Sequence, residues 1–365
     1  MGYLRRTIRG VSWVGALRAS TRAIALIKTV VLAHLLSPAA FGLFGISTIV
    51  LGLLEILTET GINVFLIQQK DDIDDYIDTA WVVSIFRGIL ISISIIVSSY
   101  WVAYFFHNLD ARYLLILIAS VPFIRGFINP SVVKFQKDLN FGRDFGYRFF
   151  IFAFDALVAL IVAFFTHSPA SPVYGLIAGS ILEVILSFFI VGPMPRPTFD
   201  SKKVKRVINA GKWITGAGIF GYLFENIDDI VVGRVLGVGA LGLYQMAYKF
   251  ATLPITEVAD VLGKVTFPIF VKISSDRERL KRAFVKVTCG VFLMTVPFGL
   301  IIIIFSSQIL SLLGPSWVSA SLALRAITVY SVIKALTNPA LTVFLAVGKQ
   351  RYLTVITLVG VVALS

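Results

Sequence analysis

Long apolar stretches alternate with short polar ones along the whole chain. A membrane-crossing helix needs about 20 mostly apolar residues. Stretches of that kind fall at 12–34, 40–66, 79–105, 112–136, 146–166, 172–193, 211–233, 240–266, 284–310 and 318–347. An eleventh begins near Tyr352 and is still apolar at "LVGVVALS", so the chain is expected to stop inside or just past a span. The pattern predicts an all-α polytopic membrane protein.

The polar breaks then set an orientation, because cytoplasmic loops collect Lys and Arg. One alternate set of loops holds Arg5, Arg6 and Arg9, then Lys70, then Lys137 and Arg143, then Arg196, Lys202, Lys203, Lys205 and Arg206. It continues with Lys272, Arg277, Arg279, Lys281 and Arg282, and ends with Lys349 and Arg351; the other set holds little beyond Arg112 and Arg234. The N-terminus is therefore expected on the cytoplasmic side. The loop "KDDIDDYID" is acidic yet falls inside, and acids count little in this rule. In the longest basic segment, "RPTFDSKKVKRVINAGK", Val204, Val207 and Ile208 can share one helical face edged by cations. Residues 196–210 read as an interfacial helix or, equally, as a solvated linker.

Composition agrees with the pattern. Of 365 residues, 57% are hydrophobic and 15% charged, and mean hydropathy is +0.88, too apolar for a soluble chain of this length. The net charge of +13 does not point to nucleic acid, because the cations sit in short clusters between apolar runs. A lone cysteine, Cys289, excludes an intrachain disulfide. His34, His107 and His167 fall near span ends, and neither metal-ligand spacing nor a glycine-rich phosphate loop is present. No cofactor is expected.

The chain carries an internal repeat. At an offset of 200, Trp13 falls on Trp213 and "HLLSPAAFGLF" on "RVLGVGALGLY", with Leu36, Ala40, Gly42 and Leu43 meeting identical residues. At an offset of 209, "RGFINP" from Arg125 meets "KALTNP" from Lys334. The matches pair span one with seven and span four with ten, so paired spans run the same way: a parallel repeat of two six-span lobes. The expected division is 1–195, a linker at 196–210, and 211–365, the second lobe lacking its twelfth span.

With these residues assembled, the chain resembles the polysaccharide transporters, the Wzx-type oligosaccharide flippases, of the superfamily that also holds multidrug exporters and lipid II flippases. The likeness rests on "LLSPAAFGLFGISTIV" with "TETGINVFLIQQ", on "NIDDIVVGRVLGVGALGLYQMAYKFATLPI", and on "VTFPIF" and "LLGPSWVSASLALR", in family order. The resemblance implies a two-lobed fold of twelve or fourteen spans. It also implies transfer of an undecaprenyl-pyrophosphate-linked oligosaccharide between leaflets, with membrane lipids and a glycan polymerase or export machinery as partners. The family continues beyond the point where this chain ends.

The intramembrane charges are the candidate chemistry. A charge at the bilayer centre costs at least ~2.5–3.5 kcal/mol, yet one span holds Arg18, Arg22 and Lys28. Arg18 and Arg22 share a helix face. Either they snorkel to the inner headgroups or they line an aqueous cavity between the lobes, where forked donors meet phosphate oxygens. Arg125 and Lys334 are the other candidate cavity cations, with local bonding or pairing as the alternative. Arg87 is expected to snorkel. Glu55, Glu59, Asp155 and Glu183 are expected mainly in ion pairs, with coupling of a proton or sodium ion as the second reading. Lys28 falls on Asp228 at the 200-residue offset, which suggests an outer gate that also includes Asp229; an Asp228–Lys249 pair is the bland alternative. The runner-up function is a multidrug exporter. A glycan polymerase, and enzymatic function generally, is disfavoured by short outer loops such as "THSPASPV".

Overall fold

In the computed structural model this pattern becomes a set of long helices. The structure describes residues 2–58, 66, 73–198 and 200–349, with side chains undefined at 2–11, 201–203, 205–217, 220, 258–261 and 264. No strand occurs among the described residues. Helix α1 is Gly2–Leu35, α2 Pro38–Leu57 and α3 Asp74–Phe105. A broken element follows: α4 (Asp110–Ile118), α5 (Ser120–Arg125), a 3₁₀ turn (Pro130–Val133) and α6 (Lys134–Lys137). Next come α7 (Phe141–Thr166), α8 (Ser171–Ile190), α9 (Ser201–Val235) and α10 (Val238–Lys272). The last elements are α11 (Arg277–Ile304), α12 (Ser306–Ser311), a 3₁₀ turn (Pro315–Ala320) and α13 (Ser321–Ala346).

Among the described residues six helices are long and apolar enough to cross a membrane, or seven if the broken element counts as one span. Helices α1, α9 and α10 fall outside that set. Burial is arranged for lipid. Phe86, Trp101, Tyr104, Phe165 and Phe189 are exposed, while Ser47, Ser92, Ser180, Thr295 and Thr328 are buried. The small polar residues let helices approach, and their hydroxyls turn back to their own backbone, as Ser47 does to Leu43 and Thr295 to Val291.

Two expectations change. The fourth span, expected as one run at 112–136, is broken: Asp110–Arg125 and Pro130–Lys137 meet at a 75° bend. The helix stops at Arg125, and Pro130, with no N–H to donate, favours extended backbone at Asn129, whose φ/ψ of −67°/117° starts the 3₁₀ turn in the new direction. The bend is then tied down. Asn129 is fully buried; its side-chain amide donates to the Val191 and Pro193 carbonyls at 3.4 and 3.1 Å, and its own N–H donates to Ser187 Oγ at 3.0 Å. The second-half Asn-Pro, Asn338–Pro339, lies instead inside the continuous α13. Of the expected second span, 40–66, helix α2 accounts for the part up to Leu57, and residues 59–65 lie outside the described residues. Residues 201–210 are neither a linker nor a separate interfacial helix but the start of the 35-residue α9.

Packing divides the chain into two compact units, one reaching Gly242 and one beginning at Leu243, a boundary inside α10 rather than at the expected repeat boundary. In the first unit α1, α7 and α8 pack side by side, and α9 lies on α2, where Tyr222 donates its hydroxyl to the Ile49 carbonyl at 2.8 Å. The first turns of α2 and α10 touch backbone to backbone. A Cβ on Gly42 would land on the Val238 carbonyl, with Gly242 N at 3.2 Å, and a Cβ on Gly242 would land on the Pro38 carbonyl, with Gly42 N at 2.9 Å. These residues are repeat partners at the 200-residue offset, so the contact is symmetric. In the second unit α11 and α13 pack together, with Ile255, Val291 and Ala335 in one buried cluster.

Candidate functional site

The charged residues of the first unit form a network rather than a cationic surface. Lys28 Nζ reaches both oxygens of Asp155 on α7, at 2.8 and 3.0 Å. The pair is largely buried, with 16% and 13% of the side chains exposed. Room for it comes from α8: a Cβ at Gly175 would lie 2.5 Å from Asp155 Oδ1, so a larger residue would displace the carboxylate. Each helix residue turns about 100°, which puts Lys28 about 120° around α1 from Arg22. Lys28 faces inward to α7, whereas Arg18 is half-buried and Arg22 exposed. Of the three cations of α1, Arg22 and Lys28 therefore lie on different sides of the helix, with Arg18 between them.

Arg125 is the last residue of α5, at the lip of the bend. Its Nε lies 3.2 Å from Ser180 Oγ and 3.8 Å from Glu183 Oε2, both on α8, and its Nη1 lies 3.7 Å from Glu55 Oε1 on α2. Arg125 is therefore ion-paired within its own unit, the alternative that its position in the sequence left open. Arg87 donates to the Glu55 carbonyl at 2.6 Å and to Thr58 Oγ1 at 3.3 Å, capping α2 instead of snorkelling. Two residues that sequence reasoning missed complete the network: Arg148 donates from Nε to buried Asp144 at 2.9 Å. Their four-residue spacing on one helix was the available signal.

These groups surround a cavity of about 270 Å³ lined by Arg125, Arg148, Asp155, Glu183, Phe152 and Gly179, among others. Arg125 and Glu55 keep 39% and 36% of their side chains exposed. Exposing these charges to hydrocarbon would be costly, and their mutual pairing lowers that cost.

Asp228 and Asp229 are half-buried on α9, and Lys28 is engaged by Asp155 rather than by Asp228. Lys334 belongs to the second unit, exposed, with Nζ 5.8 Å from the centre of the Tyr330 ring. Glu59 lies outside the described residues. Among the described residues no three His, Cys, Asp or Glu are placed to hold a metal ion.

A family model described as "Polysaccharide biosynthesis protein" matches residues 31–322. The chain belongs to that family. Among curated relatives of the polysaccharide biosynthesis family, it is 25% identical to the lipopolysaccharide biosynthesis protein WzxC of Escherichia coli over 93% of this chain and 70% of that protein. It is 24% identical to the teichuronic acid biosynthesis protein TuaB of Bacillus subtilis over 81% of this chain and 62% of that one. Among solved structures, the lipid II flippase MurJ in an inward closed conformation superposes with a TM-score of 0.69 at 17% identity, covering 92% of this chain and 76% of that one. An inward-facing multidrug resistance MATE transporter gives 0.64 at 14% identity, over 91% and 82%. At these identities the structures establish a shared membrane-transporter fold.

Proposed function

We propose that the protein moves an undecaprenyl-pyrophosphate-linked oligosaccharide from the inner to the outer leaflet of a bacterial inner membrane by alternating access, with its N-terminus cytoplasmic. The family match carries the reading, since its relatives serve polysaccharide synthesis. Arg18 and Arg22 supply the pyrophosphate contact: they stand four residues apart on one face of α1, while Lys28 is held by Asp155. Guanidinium forks match phosphate oxygens, and fixed cations lower the cost of carrying phosphate charge across the bilayer. Arg125, compensated by Glu55 and Glu183, organises the neighbouring cavity, and Lys334 of the second unit is a further substrate-binding candidate. Coupling to a proton or sodium ion falls to the acids Glu55, Glu59, Asp155, Asp228 and Asp229, with Lys28 as the internal counter-charge. A glycan polymerase or export assembly then takes the product.

The test is a deletion strain complemented with the double variant Arg18→Ala/Arg22→Ala. Lipid-linked precursor, resolved by mass spectrometry, should accumulate as it does in the deletion strain, with the variant at normal abundance in the membrane. Normal glycan export by that variant would refute the phosphate role, and a deletion strain without precursor accumulation would refute the flippase reading.

A further inference from the structure

The cavity beside Arg125 is lined by balanced charge: the cations Arg125 and Arg148 stand against the carboxylates Asp155 and Glu183. With these ionised, an entering phosphate meets no net positive charge. Nor is an organic cation well served, because each carboxylate of the network already holds a Lys or Arg at 2.8–3.8 Å.

The lining nevertheless keeps unused hydrogen-bonding capacity of both kinds. A carboxylate offers about four acceptor positions, and a guanidinium five donors in a fixed plane. Of the Arg125 donors, Nε faces Ser180 and Glu183, and Nη1 points toward Glu55 at the long distance of 3.7 Å. Arg148 reaches Asp144 through Nε. Donors and acceptors therefore alternate around one wall, held in place by their mutual pairing. Phe152, 45% exposed, adds an aromatic face, and Gly179 leaves the floor without a side chain. At about 270 Å³ the space is below the usual range for drug-sized ligands, so it accommodates one ring rather than a chain of them.

We propose that this cavity is a subsite for one uncharged, polyhydroxylated ring, a neutral hexose or N-acetylhexosamine of the carried glycan. Hydroxyls accept from the guanidiniums, donate to Glu183 and Asp155, and lay a C–H face on Phe152. A site built this way selects by hydroxyl pattern, because a ring lacking a hydroxyl leaves a cavity donor or acceptor unmet. The proposal rests on the glycan-transport reading and adds to it: phosphate and sugar are held by different residues of the first unit, Arg18 and Arg22 for one, the α5–α7–α8 cavity for the other. Missing Arg148, the sequence pattern merged the two into a single cationic site.

The experiment is saturation-transfer NMR on the full chain in lipid nanodiscs, with a panel of neutral hexoses and N-acetylhexosamines as probes. Inorganic phosphate and tetraphenylphosphonium serve as competitors. At least one neutral sugar should show transfer, undiminished by either competitor. The signal should fall at least about fivefold in Arg148→Leu, judged only if that variant stays monodisperse, and in Phe152→Ala, which alters an exposed ring. No transfer with any sugar, displacement by phosphate or tetraphenylphosphonium, or full retention in both variants would overturn the subsite. Precursor accumulation in the deletion strain is scored separately, so loss of the subsite leaves the flippase reading standing, and the converse is equally visible.

Discussion

Breaking the Lys28–Asp155 pair tests whether the charges of α1 hold the first unit together. The contact is two-pronged, at 2.8 and 3.0 Å, between side chains only 16% and 13% exposed. Removing one member of a buried pair costs about 3–5 kcal/mol, whereas replacing both with neutral groups is often close to neutral. Insertion scales give ~2.5–3.5 kcal/mol for one stranded charge at the centre of a span, which favours the lower end. Lys28→Met should therefore cost about 3 kcal/mol. Asp155→Asn should cost somewhat less, about 2 kcal/mol, because the amide oxygen still accepts from the ammonium. The double variant should lose no more than about 1–2 kcal/mol, a coupling of at least ~2 kcal/mol. Asn is chosen because Gly175 leaves no room for a larger group at 155. The assay is equilibrium unfolding in mixed micelles, followed by tryptophan fluorescence. Single variants costing under ~1 kcal/mol, or a double variant equal to the sum of the singles, would refute the reasoning. Export by the double variant would then assign the pair to architecture, and loss of export with stability recovered would assign it to coupling.

Two further outcomes follow from packing. Asn129→Ala leaves the Val191 carbonyl without its donor and removes one of two donors to Pro193, so it should cost about 2–4 kcal/mol and speed proteolysis after α8; a loss under ~0.5 kcal/mol would show that the bend needs no tie. Gly175→Ala puts a methyl 2.5 Å from Asp155 Oδ1 and 2.6 Å from its carbonyl, an overpacking cost of about 1–3 kcal/mol, whereas Gly146→Ala meets nothing within 4 Å and should stabilise α7 by up to ~1 kcal/mol; equal effects at the two glycines in the same unfolding assay would contradict the packing.

Hydropathy alone located the long helices, because a bilayer leaves the backbone few choices other than a continuous helix about 20 residues long. It located the Asn-Pro motifs but not their outcomes. Asn129 is extended where the Val191 and Pro193 carbonyls await its amide, while Asn338 stays helical, and those partners lie some sixty residues from Asn129 in the chain. The charge partners were hidden for the same reason. Nothing local to Lys28 selects Asp155, 127 residues away, over Asp228 on the matching span. Arg148 escaped notice because it follows the loop cation Arg143 at the mouth of a span, where basic residues are expected for orientation alone. The start of α9 reads equally as an interfacial helix or a linker, because clustered cations suit both, and neither reading shows that the helix runs on without a break to Val235.

The Gly42–Gly242 contact has a mechanical consequence. Helices separated by a layer of side chains can slide as rotamers exchange, but here there is no such layer between the first turns of α2 and α10. Translation across the contact is therefore blocked by main-chain atoms on both sides, and rotation about it is the movement left. The same residue type stands on each side of the contact. The bearing is made of backbone, so its friction is set by two absent methyl groups and by no adjustable side chain.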